Sequence, residues 1–210
     1  MAGGPSIRLY RAAWSTNCER VGLALAHKGI EALSVLIEYG DRSPVEAVSG
    51  QGLVPVIEDA GEVVSDSVAI LRHLERRRPG PPLFPADPAR RAEVDVFIDW
   101  FERVYKQAPN ELERELERER PDEARVERDG AEMHARLAVF ERLLDGREYL
   151  LGEFGAADCV AYPFLKYAAH RDPADTELFH VILADHQRLG DDHPNLAAWI
   201  KRVGERPLAY

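Results

Sequence analysis

The chain has 210 residues, 45% of them hydrophobic and 30% charged, the balance of an ordinary globular protein long enough to bury a sizeable core. Its formal net charge of -10 argues against a nucleic-acid binder, which presents a basic face to the phosphates. The two cysteines, Cys18 and Cys159, lie far apart and belong to no CxxC or Cys/His cluster, which argues against a disulfide framework and for reduced thiols.

Ile7 to Arg11 reads as a short strand, and Trp14-Ser15-Thr16-Asn17 as a loop and helix start. From Cys18 the apolar Val21, Ala24 and Leu25 recur at helical spacing until Lys28-Gly29, a cationic last turn and a glycine stop. Ala32 to Ile37 is a second strand, and Ser43 to Ser49 a short helix of weak pattern. Gly52 to Glu58 reads as a buried strand with Pro55 inside it. Asp59-Ala60-Gly61-Glu62 turns the chain into a returning strand at Val63-Val64. Ser65-Asp66-Ser67 supplies capping side chains for an amphipathic helix through about Arg77.

Composition then shifts. Pro79-Gly80-Pro81-Pro82 is a linker that neither helix nor strand crosses easily. Beyond it, helical periods dominate. Asp87-Pro88 opens a helix carrying Val94, Phe97, Ile98, Phe101 and Tyr105. Glu111 to Asp129 mixes both charges and reads as a solvated helical surface. Met133 to Leu144, Val160 to Ala168 and Pro194 to Val203 mark further helices. An α/β half followed by an all-helical half results. No segment approaches the roughly 18 consecutive apolar residues of a membrane span. The opening MAGGPSIRLY lacks the basic start and apolar stretch of a signal peptide, so a cytoplasmic location is expected.

Three segments of the first half carry chemistry. Ser15-Thr16-Asn17-Cys18 sits between strand and helix, where unpaired N–H groups favour anions, thiolates included. Ser15 either caps that helix or donates a hydrogen bond to a sulfur anion. Val54-Pro55 marks an edge, a bulge or a cis bond, and a cis bond would turn the Val54 backbone toward an extended peptide alongside. Asp66-Ser67 is either an ordinary cap or a seat for a carboxylate, with Asp66 available to a ligand ammonium. His170, His180, His186 and His193 have no metal-ligand spacing and read as surface or helix-end residues.

In this order the segments resemble the soluble glutathione transferase superfamily, across nearly the whole chain. The helix-start serine, Gly52-Leu53-Val54-Pro55 and Asp66-Ser67-Val68-Ala69-Ile70-Leu71 carry the likeness, with Leu83-Phe84-Pro85-Ala86-Asp87-Pro88, Pro194 to Trp199 and Arg206-Pro207. The chain is similar to serine-type, bacterial-looking members. Asp66 departs from the Glu or Gln usual there, and Gly155 from the Ser or Thr that usually opens the inner helix. Asp158 remains able to cap backbone amides at that helix, with ~1 kcal/mol lost for the missing hydroxyl.

The resemblance implies a thioredoxin-like domain over 1–80, a linker over 81–88 and an all-helical domain over 89–210. It implies that Ser15 hydrogen-bonds the glutathione sulfur, with Thr16 and Asn17 beside it. Val54, ahead of Pro55, would pair with the cysteinyl unit, Asp66 and Ser67 would hold the γ-glutamyl end, and Gln51 and Arg42 are candidates for the glycyl carboxylate. Trp100, Phe101 and Tyr105 are candidates for a second, apolar-substrate cleft. Glutathione is then a co-substrate, with no cofactor, metal, nucleic acid or membrane partner, and the chain a homodimer.

The implied reaction is attack of an activated thiol on a small apolar electrophile. Disulfide reduction by bound glutathione is the alternative, since Ser15-Thr16-Asn17 resembles the Thr-Pro-Asn segment of nu-class relatives. A non-catalytic binding protein is the third reading. Serine at the first position of a glutaredoxin-like pair excludes an enzyme-thiol relay through Ser15, and Cys18 reads as buried and inert.

Overall fold

The computed structural model describes residues 7–210; the reading of the opening MAGGPS as free of a leader lies outside the described residues. Two compact units emerge, one running to Ala86 and taking in Arg206–Tyr210, the other Asp87–Glu205. The closing five residues join the first unit, whereas the sequence placed them with the helices.

The first unit is built from β1 (Ile7–Arg11), α1 (Thr16–His27), β2 (Ala32–Leu36), α2 (Ser43–Ser49), β3 (Val56–Asp59), β4 (Glu62–Ser65) and α3 (Ser67–Arg77). The sheet order is β2-β1-β3-β4, with β1 parallel to β2 and antiparallel to β3, and β3 antiparallel to β4. This is a thioredoxin-like sheet. Successive β1 side chains alternate faces. Tyr10 packs with Val56, Ile37 and Val45 of α2, and Ile7 and Leu9 are buried on the other face. Gly29 ends α1 with a left-handed φ of 64°, a conformation glycine adopts without a Cβ clash.

One strand differs from its sequence reading. Pro55 lies ahead of β3 rather than inside it, and the Val54-Pro55 bond is cis. Lacking an N–H to give the ladder, the proline sits where pairing has not begun.

The second unit holds α4 (Pro88–Trp100), α5 (Gln107–Leu116), α6 (Glu123–Leu143), α7 (Ala156–Leu165), α8 (Leu178–His186) and α9 (Pro194–Gly204). A π-helical turn, Phe101–Tyr105, continues α4, with Lys106 N–H donating to the Phe101 carbonyl. Phe97, Phe101, Tyr105, Phe140, Phe164 and Trp199 are buried here. The mixed-charge run proves not to be one solvated surface. It breaks between α5 and α6, and Glu115 and Asp129 are buried. Glu115 is held there by Arg118, Arg125 and the Asp122 N–H. His180, in the first turn of α8, and His193, the N-cap of α9, are helix-end residues and are buried, His180 against the Asp175 carboxylate at 2.8 Å.

Candidate functional site

Strand register brings the three chemical segments of the first unit together. Tyr10, next to the end of β1, pairs with Val56 at the start of β3, and Val56 pairs with Ser65 at the end of β4. The chain leaving β1 for Ser15, the Val54-Pro55 approach to β3 and the Asp66-Ser67 exit from β4 therefore share one end of the sheet.

Ser15 caps α1. Its backbone is extended, and its Oγ accepts the Cys18 N–H at 3.3 Å. An accepting hydroxyl keeps its proton to donate elsewhere, so capping and sulfur binding are compatible roles. Thr16 is buried and Asn17 half-buried beside it in the first turn, and the Asn17 Oδ1 is buried with no hydrogen-bond partner among the described residues. Cys18 is fully buried. Burial pushes its thiol up, against the lowering pull of the Ser15 hydroxyl and of Arg11 and Arg42. Those two guanidiniums add a positive field to that of the helix N-terminus.

Asp66 has a φ of 72° and ψ of 127°, a sparsely populated conformation for any residue but glycine. Its Oδ1 accepts the Ala69 N–H at 2.9 Å, capping α3, and the side chain is exposed. Ser67 is buried behind it and accepts a hydrogen bond from Arg20 of α1 at 3.2 Å. Arg20 escaped the sequence reading, although a signal was present. Val21-Gly22-Leu23-Ala24-Leu25 leaves α1 no polar face, so an arginine adjoining that run had to be buried.

The two glycyl-carboxylate candidates separate. Gln51 spends its side chain on its own loop, accepting the Leu53 N–H at 2.6 Å and donating to Ser49 Oγ at 3.1 Å and to the Leu53 carbonyl at 3.0 Å. Arg42 lies over the Tyr39 ring at 5.0 Å, and its Nη1 is buried with no hydrogen-bond partner among the described residues. Arg42 therefore has a donor to offer, while Gln51 braces the approach to Val54.

In the second unit, Phe101 and Tyr105 stack at 4.5 Å, are 0% and 1% exposed, and the Tyr105 hydroxyl donates to Gln187. Side chains so enclosed line no open cleft, which corrects the expectation for both. Trp100 remains half-buried, 5.7 Å from Phe140. Among the described residues no group of three or more His, Cys, Asp and Glu is placed to hold a metal, and no helix is long and apolar enough to cross a membrane.

The family model for the glutathione S-transferase N-terminal domain matches residues 9–82, and that for the C-terminal domain residues 123–202. Glutathione S-transferase GstB of Escherichia coli K12 is 29% identical over 203 residues, 92% of this chain and 90% of that protein. FtsZ-localized protein A of Caulobacter vibrioides is 29% identical over 145 residues, and the match spans 63% of this chain and 64% of that one. The crystal structure of a glutathione S-transferase from Rhodospirillum rubrum F11 superposes with a TM-score of 0.73 at 30% identity, covering 96% of this chain and 89% of that one.

Proposed function

We propose, for a chain that belongs to the glutathione S-transferase family, that it binds glutathione at this end of the sheet and activates its thiol for attack on a small apolar electrophile. The observation that carries the reading is Ser15, whose Oγ accepts the Cys18 N–H and so has a proton left to donate at a helix N-terminus. Thr16 and Asn17 flank the sulfur, and Val54, placed by Pro55, pairs with the cysteinyl unit. Asp66 and Ser67 hold the γ-glutamyl end, and Arg42 takes the glycyl carboxylate. Trp100 is the remaining candidate for the second substrate.

A free thiol has a pKa near ~8.5, so only a few per cent is ionised at neutral pH. Lowering it by about two units corresponds to roughly 2.7 kcal/mol of preferential thiolate stabilisation. A hydroxyl donor, a helix terminus and two nearby guanidiniums act in that direction. The thiolate then forms the new carbon–sulfur bond, and the leaving group departs with its electron pair. Ser15→Ala should cut conjugation at pH 6.5 by at least about tenfold and move the pH profile alkaline. Unchanged rates with an unshifted profile remove Ser15 from the mechanism.

Cys18 bears on disulfide reduction as a second reading. Because it is buried, any such reaction would draw its sulfur from bound glutathione. Turnover of a small disulfide, with none of electrophiles, would select it. The likeness to FtsZ-localized protein A supports a binding protein as a third reading, which intact folding without glutathione binding would select. The proposal takes the chain as a cytoplasmic homodimer, and light scattering at a monomer's mass would contradict the dimer.

A further inference from the structure

Arg11 is the half-buried last residue of β1, and Tyr210 lies in the closing segment that joins the first unit. The Arg11 Nε donates to Ser34 Oγ of β2 at 2.7 Å, and its Cζ stands 4.0 Å from the centre of the Tyr210 ring. That distance is well inside the range over which an aromatic face attracts a guanidinium. Among the described residues Arg11 forms no ion pair, so its charge is not cancelled at close range. Cys18 shows where that charge acts. The Ser15 hydroxyl, the Ala12 backbone, Arg11 and Arg42 all pull its thiol down against burial. The same hydroxyl caps α1 at the site.

The ring has a prepared seat on α1. The Ala209 N–H donates to the Gly22 carbonyl at 3.3 Å. A Cβ at Gly22 would stand 2.5 Å from Tyr210 Cε1 and 3.3 Å from Leu208 Cδ2. Glycine is disfavoured inside a helix, and here its missing side chain leaves the space that the ring fills. Burial, then Glu19 and Cys18, pushes the Tyr210 hydroxyl up against the pull of Arg11. Tyr210 therefore meets Arg11 as a neutral ring rather than as a counter-charge.

We propose that Tyr210 is a positioning residue for thiol activation: its ring holds the Arg11 guanidinium beside the start of α1, where the charge stabilises the bound thiolate. This rests on the glutathione reading above.

The test follows ultraviolet thiolate absorbance of the glutathione complex against pH in the wild type, Arg11→Met, Tyr210→Leu, Tyr210→Phe, Gly22→Ala and the Arg11→Met/Tyr210→Leu double variant. Arg11→Met should raise the bound-thiol pKa by at least about 0.8 unit, and Tyr210→Leu by at least about 0.5, roughly a threefold loss of thiolate at low pH. Tyr210→Phe keeps the aromatic face and should stay within about 0.2 unit of the wild type. Gly22→Ala fills the seat while leaving both side chains intact, and should act as Tyr210→Leu does. The double variant should match Arg11→Met alone, because the ring acts through the guanidinium. Calorimetric titration with S-methylglutathione, which has no thiol to ionise, should give affinities within about twofold across the set. Should Arg11→Met fail to fold, Tyr210→Leu against Tyr210→Phe and Gly22→Ala decide. An unshifted thiol in Tyr210→Leu or Gly22→Ala, an equal shift in Tyr210→Phe, additive shifts in the double variant, or a parallel loss of S-methylglutathione affinity overturns the inference and leaves the glutathione reading intact. A wild type whose bound thiol is itself unshifted removes both.

Discussion

On the proposed function, Asp66 does two jobs with one carboxylate. Its Oδ1 caps α3, and its exposed second oxygen is open to a ligand ammonium. Asn tolerates positive φ nearly as well as Asp and caps equally well, so Asp66→Asn separates the roles. We expect it to change unfolding stability by no more than about 0.5 kcal/mol while weakening glutathione binding several-fold. Calorimetry beside a denaturant melt measures both, and a large stability loss with unchanged affinity would contradict the assignment. How much of the site the sequence disclosed divides in the same way. Ser15, Val54-Pro55 and Asp66-Ser67 were legible because each is a local backbone device: a cap, a proline and another cap. The partner of Arg20 and the fate of Gln51 were not, because one lies 47 residues away and the other depends on how the loop between α2 and β3 closes.

At the scale of the element, the start of α7 shows a substitution made good by its neighbours. Gly155 offers no side chain to cap the helix. Asp158 accepts the Gly155 N–H at 3.0 Å, the Leu150 N–H at 3.1 Å and the Trp199 indole N–H at 2.8 Å. The sequence reading anticipated the amides but not the indole, which lies 41 residues on. Asp158→Ala leaves two buried donors and one half-buried donor without an acceptor, the buried ones each worth about 1–3 kcal/mol, and should cost the helical unit at least about 3 kcal/mol in a denaturant melt. A loss below about 1 kcal/mol would mean that water replaces the carboxylate. Helices were the most legible elements, because Val94, Phe97, Ile98 and Phe101 repeat with the helical period. The break between α5 and α6 and the π turn were obscured, since both charge alternation and the aromatic period continue through them.

Across the whole molecule the two units should answer acid with opposite signs. In the first, Arg78, then His73, holds the Asp59 carboxyl down to about 2 against the opposing effect of burial. A depressed folded pKa stabilises above the unfolded value of ~3.9, and that stability, roughly 2 kcal/mol, is lost as pH falls from about 4 through 2. In the second, burial pushes Asp158 up to about 6 against its three N–H donors. The folded state then holds the proton more tightly than the unfolded one. This contribution is present below about pH 4 and is lost as pH rises through 6, again roughly 2–3 kcal/mol. Calorimetric melts from pH 3 to 7.5 should show Asp59→Asn flattening the acid limb and Asp158→Asn flattening the slope between pH 4 and 6; a slope untouched by either variant contradicts the corresponding assignment. Ultraviolet thiolate absorbance of the glutathione complex against pH tests the proposed activation of a bound thiol at the α1 N-terminus. The bound thiol should have a pKa about two units below that of free glutathione, returning toward the free value in Ser15→Ala. Glutathione that binds with an unshifted thiol, or a shift that Ser15→Ala leaves in place, would contradict it.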